Sequence, residues 1–173
     1  MNFMRFFDLA NFTDDALGGF GKRLGYEKIF STGKDVEIID VARGDSQKRK
    51  IVMSDSAETV AKELKQGSVI GIMPKGTSVS GKTLDAIKNN EKLLFLAVSQ
   101  VTCAAEGFRM QNLARARSLA RSAMMSKVPI AIVSMAEDRE GLMSSLQMLE
   151  VASFLGLDHT EAKEALNVLG GLL

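Results

Sequence analysis

The chain has no tryptophan, one tyrosine, one cysteine, one histidine and two prolines in 173 residues. A single cysteine excludes an internal disulfide and suits a reducing compartment; Cys103, in "VTCAAEG", reads as a small packing residue rather than a nucleophile. One histidine and one cysteine leave too few ligands for a His/Cys zinc site, so carboxylate-held Mg²⁺ is the metal site the composition leaves open. No apolar run reaches the roughly 18 to 20 residues of a membrane span. Arg5 and Asp8 interrupt the apolar start "MNFMRFFDLANF", which is wrong for a signal-peptide core. An excess of one charge is missing too: 22 basic residues face 21 acidic ones, so any nucleic-acid binding must use a local patch. The expectation is a cytoplasmic protein with no membrane contact and no cofactor.

What is present is apolar and regularly spaced. At 46% hydrophobic content the chain can bury one good core, and a single domain over 1–173 is expected. Seven short β-rich runs recur, at 4–10, 27–31, 36–42, 50–54, 68–74, 92–99 and 128–136. Several are apolar almost throughout, as strands covered on both faces should be. Amphipathic segments separate most of them. "DSAETVAKELKQG" has Ser56 as N-cap, Val60, Ala61 and Leu64 inward and Gly67 as stop. Residues 108–127 form the longest helix, with Leu113, Ala116, Leu119, Ala120, Ala123 and Met124 as its apolar stripe. Two helices close the sequence, over 139–156 and 158–170, the second capped by Asp158 or Thr160 with His159 exposed. Alternating strands and helices imply an α/β fold, either an open doubly wound sheet or a closed barrel. Seven strands point to a barrel shortened relative to eight full βα units, because nothing helical separates the second, third and fourth runs.

"GTSVSGKT", residues 76–83, matches the phosphate-cradling pattern G-x-x-x-x-G-K-[ST] between a strand and a helix. A working P-loop also needs an Asp ending another apolar strand to hold Mg²⁺. The downstream strands end instead at Ser99 and Ser134, and Glu137 and Asp138 lie beyond the strand. Asp8 and Asp40 stand at upstream strands. The loop therefore reads first as a Gly/Ser-rich βα connection, with nucleotide binding through Gly76–Thr83 as the alternative.

Family-like motifs lie in the second half. "LARARSLARSAMMSKVPIAIVSMA", an apolar helix and then "TEAKEAL" resemble protein component 3 of archaeal ribonuclease P, a TIM-barrel-like subunit related in fold to the PHP phosphoesterases. The matching positions are Arg115-Ala116-Arg117, Val128-Pro129 through Ser134-Met135-Ala136, and Glu161-Ala162-Lys163. "RFFDLAN" is similar to that family's first strand, and "PKGTSVSG" falls at its strand-end loop with basic residues and a glycine. The sequence departs from the family at Gln100, where a basic residue is common, at Lys82-Thr83, where Asp-His is common, and in a shorter 31–50 segment. "DLANF" stands where PHP enzymes carry D-x-H-x-H.

The resemblance implies a non-catalytic protein subunit of ribonuclease P. In that particle RNA performs 5′-end maturation of precursor tRNA, and the protein's partners are the RNA and other subunits, above all a small RRM-like one. It implies no catalytic and no metal-binding residue here. Candidate RNA or partner contacts are Lys48, Arg49 and Lys50 in "GDSQKRK", Lys75 and Lys82 flanking the Gly/Ser loop, and Arg109, Arg115 and Arg117, since affinity for RNA is largely electrostatic. On the long helix Arg115 shares an outward face with Gln111, Ser118 and Ser122. Arg117 and Arg121 flank the apolar stripe and suit a protein neighbour.

Overall fold

A computed structural model describes residues 5–40, 48–76, 79–103 and 105–172. Each of the seven apolar runs forms a strand: β1 (Phe7–Ala10), β2 (Lys28–Ser31), β3 (Val36–Ile39), β4 (Arg49–Met53), β5 (Val69–Met73), β6 (Leu93–Ala97) and β7 (Ile130–Val133). The expected continuation of the third run to residues 41 and 42 lies outside the described residues. β1 pairs with β2, and β3 to β7 form a second sheet in sequence order, with all pairings parallel. The fold is α/β, and among the described residues it consists of two sheets rather than one closed ladder. Backbone bonds stitch the two together: Met135 N donates to Leu9 O at 2.9 Å and Asn11 N to Ala136 O at 2.7 Å. Thr32 and Val36 form an isolated parallel bridge where β2 gives way to β3.

Side chains alternate along each strand, and the two faces enter different cores. Leu9, Phe30, Val36, Ile51, Ile70, Phe95 and Val133, one from each strand, meet in one buried cluster. Their strand neighbours Val52, Val69, Leu94 and Ile132 turn outward into a larger cluster shared with the helices, and Ile72 joins them after the break in alternation at Ile70–Gly71. Gly71 makes room in the inner cluster, because a Cβ there would stand 2.6 Å from the Phe95 ring.

The helices are α1 (Leu17–Arg23), α2 (Ala57–Glu63), α3 (Gly81–Asn89), α4 (Ser99–Thr102), α5 (Glu106–Met125), α6 (Ser145–Phe154) and α7 (His159–Asn167), followed by a 3₁₀ turn at Val168–Gly171. Ser56 caps α2 by accepting from Thr59 N. Asp158 and Glu161 form the capping box of α7, and His159 is exposed. Three expectations change. Ala61 is exposed, because α2 ends at Glu63 and buries only the Val60 and Glu63 side within it. The helix expected from residue 139 starts at Ser145, since Ser144 with Gln147 makes a capping box there and Asp138 ties the preceding loop to Gly141 N. Cys103 is exposed rather than packed, at the C-cap of α4, a helix that buries none of its own residues.

Candidate nucleic-acid interface

Six of the eight candidate basic residues fall at two ends of the sheet, while Arg115 and Arg117 lie midway along α5. Lys48, Arg49 and Lys50 open β4, whereas Lys75 follows β5, Lys82 lies in the first turn of α3 and Arg109 in the first turns of α5. In a parallel sheet the first and last residues of a five-residue strand are about 13 Å apart, so these do not make one patch. Ligand sites of open α/β sheets gather where strands end, which is the end holding Lys75, Lys82 and Arg109.

Within the first group only Lys48 and Arg49 are at the surface, and Lys48 donates to Gly33 O at 2.5 Å. Lys50 is 1% exposed. Its side chain is enclosed by the fold, which removes it from the surface an RNA phosphate meets; residues 44–47 of "GDSQKRK" lie outside the described residues. At the other end Lys75 is exposed and its Nζ meets Asp40 Oδ1 at 2.8 Å, and this hydrogen bond holds its ammonium above the usual lysine range. Lys82, Arg109, Arg115 and Arg117 are exposed. Arg115 and Arg117, two residues apart, point about 200° apart around the helix.

The strand–loop–helix context of "GTSVSGKT" is present, between β5 and α3, though Thr77 and Ser78 lie outside the described residues. Its chemistry differs from a nucleotide cradle at three places. Asp55, on the neighbouring β4–α2 connection, accepts from Lys75 N at 2.9 Å and Gly76 N at 3.3 Å, so the chain's own carboxylate holds the first amides of the loop. Thr83, whose hydroxyl would face Mg²⁺, is fully buried and bonded to Ser80 Oγ at 2.9 Å. Ser80 also caps α3 by accepting from Thr83 N at 3.2 Å.

Asp8 is the one aspartate fully withdrawn into the described structure. Its Oδ1 accepts from Ser134 N at 2.7 Å and Leu9 N at 2.8 Å, clasping β1 to the end of β7, while Oδ2 has no partner. Burial raises its carboxyl from 3.8 to about 6 against the lowering effect of those bonds. Burial also pushes the Tyr26 phenol up, with the Asp8 charge adding to it. Among the described residues no three His, Cys, Asp or Glu side chains are grouped to hold a metal, and no helix is long and apolar enough to cross a membrane. Sequence reasoning missed the tie from Asp55 to the loop and the burial of Asp8. The signal for the second was visible in "FFDLA", an Asp with apolar neighbours on both sides.

No protein-family model and no curated protein sequence matches this chain. Its structure is similar to a chain in the cryo-EM structure of archaeal ribonuclease P with mature tRNA, with a TM-score of 0.69 and 11% identity over 99% of this chain and 81% of that one. A partial likeness to A. niger ochratoxinase, with a TM-score of 0.48 and 13% identity over 68% of this chain and 28% of that one, is too low to carry an argument. The chain therefore has the fold of a protein found in an archaeal ribonuclease P particle.

Proposed function

We propose that this chain is a protein subunit of a ribonuclease P-type ribonucleoprotein, folded as a single shortened TIM-barrel-like domain and acting in 5′-end maturation of precursor tRNA in the cytoplasm. The observation that carries the reading is the likeness to the archaeal particle's chain over 99% of this one. The Arg115-Ala116-Arg117 helix, the "VPIAIVSMA" strand and the "EAK" helix point the same way. Seven strands sharing one inner cluster support the barrel-like description.

In this reading the chain does no chemistry of its own. RNA cleaves the phosphodiester, and the protein contributes positive charge and a rigid surface. Lys75, Lys82 and Arg109, at or near the ends of the parallel strands, and Arg115, exposed midway along α5, are the phosphate-facing set; each direct contact releases counterions and adds to the salt dependence of binding. Lys48 and Arg49 face elsewhere and would meet a different part of the RNA or a neighbouring subunit such as a small RRM-like protein. Arg117 belongs with the protein-facing side. A nucleotide-binding role is disfavoured by Asp55 in the loop and by the inward Thr83 hydroxyl.

The test is purification of the tagged protein from its source, followed by sequencing of the bound RNA and assay of precursor tRNA cleavage. A single enriched structured RNA whose removal abolishes cleavage is expected. Cleavage that survives nuclease treatment, or recovery of the protein without RNA, overturns the reading.

A further inference from the structure

At the ends of β5 and β6, bounded by α4, α5 and α6, the surface opens into an apolar cavity of about 220 Å³. Leu113 and Ala116 of α5 form one wall, Val151 and Phe154 of α6 the other, and Leu96 of β6 the floor. Phe154 is 62% exposed although it lines the cavity. Nearby, residues 107–111 at the start of α5 are exposed on every side, and they include Phe108 and Met110, which are 61% and 75% exposed. A helix end with no buried face and two large apolar side chains is a surface built to be covered.

We propose that this groove docks a segment of a partner protein bearing bulky apolar anchors and net negative charge. Size favours a side-chain anchor, because the cavity is smaller than the roughly 300 to 1,000 Å³ of a small-molecule cleft. Charge fixes the sign. Arg117 and Arg121 of α5 lie one turn apart, and α6 carries one charged residue, Glu150. Arg117 stands beside Gly156 at the end of α6, where a Cβ would come 3.8 Å from its Nε, and Arg121 shares its flank. Neither forms an ion pair among the described residues. RNA gains nothing from an apolar floor, and a second copy in a two-fold arrangement would bring the same arginines together. An acidic, apolar segment satisfies both the floor and the rim. The inference does not depend on the ribonuclease reading.

The probe is a displayed library of random peptides of roughly 16 residues, long enough for several helical turns, selected on the full chain. Enriched peptides are then synthesised and their affinities measured by fluorescence anisotropy with and without an RNA competitor. The expected result is enrichment of peptides with large apolar residues at i, i+3 or i+4 and net negative charge. Their binding should weaken about tenfold in Phe154→Ser and in Arg117→Glu/Arg121→Glu, while thermal unfolding, a check on these exposed positions, stays unchanged. The proposal is overturned by no enrichment, by neutral or basic winners, or by affinities indifferent to both variants. It is equally overturned by displacement of the peptides by RNA, or by concentration-dependent dimerisation that Phe154→Ser abolishes.

Discussion

Replacing Asp8 by Asn should remove a contribution to the protein's stability that, in the parent chain, falls as pH rises between 4 and 6. Asp8 is buried, its Oδ1 holds two backbone amides and its Oδ2 holds nothing. The folded carboxyl sits at about 6 against 3.8 for an ordinary one. Below 3.8 both folded and unfolded chains keep the proton and the group has no pH-dependent effect. Above it the unfolded chain releases its proton while the folded chain keeps it, so stability falls by about 1.4 kcal/mol per pH unit until the folded group titrates. The total is about 3 kcal/mol at neutral pH. Asn keeps an acceptor for Ser134 N and Leu9 N and carries no charge to desolvate, but it places an amide donor where Oδ2 has no partner, at a cost of about 1 to 3 kcal/mol. Protonated Asp8 likewise leaves an unpartnered O–H at Oδ2, so below pH 4 the two residues should be about equally stable, and at pH 7, where the buried Asp8 is charged, Asn should be the more stable. Urea unfolding of both proteins at half-unit pH steps measures this, the difference between the two curves isolating Asp8 from other carboxylates. Parallel curves across the whole range would refute the argument, since they would mean that the buried carboxyl titrates alike in both states.

Three further outcomes are expected. In the presence of RNA and partner subunits, Lys75→Ala, Lys82→Ala and Arg115→Ala should each make the slope of log affinity against log salt shallower by roughly 0.7 to 0.9, whereas Arg121→Ala should leave it unchanged; equal slopes in all four would assign these side chains to ordinary solvated charge. Calorimetry should find no saturable binding of Mg²⁺-ATP or Mg²⁺-GTP, and RNA-free protein supplied with Mn²⁺ should hydrolyse neither phosphomonoesters nor precursor tRNA; binding lost in Lys82→Ala, or turnover, contradicts the assignment. Gly71→Ala should destabilise by about 1 to 3 kcal/mol through overpacking against Phe95 and the Leu93 carbonyl, read as a lower urea midpoint with unchanged slope.

The strands were legible because burial on both faces leaves continuous apolar runs, and caps such as Ser56 and Asp158 announced their helices. α1 was not, since Gly18, Gly19 and Gly21 lower helix propensity. The structure shows why one of them is there: a Cβ on Gly21 would meet Ile29 Cγ1 at 3.0 Å. The basic candidates were legible as charges but not as positions. Nothing local in "KRK" shows that Lys50 faces inward while Arg49 faces out, although the period of two along a strand allows it. The α5–α6 groove was hidden because Leu113, Ala116 and Val151 occupy core-like helical positions; whether a neighbour covers them is decided by residues far away in sequence.

Asp8 and Leu9 bond to residues 134 and 135, and Phe7 lies against Gly170. An early segment thus waits for partners more than a hundred residues later. During synthesis Phe7, Leu9 and Phe30 cannot complete the inner cluster until β6 and β7 have emerged from the ribosome. Contacts of such long sequence separation slow folding, and the apolar β1–β2 pair is exposed to other chains in the interval. A nascent chain halted before β7 should therefore be a chaperone client, and release of that chaperone should coincide with emergence of the "VPIAIVSMA" strand.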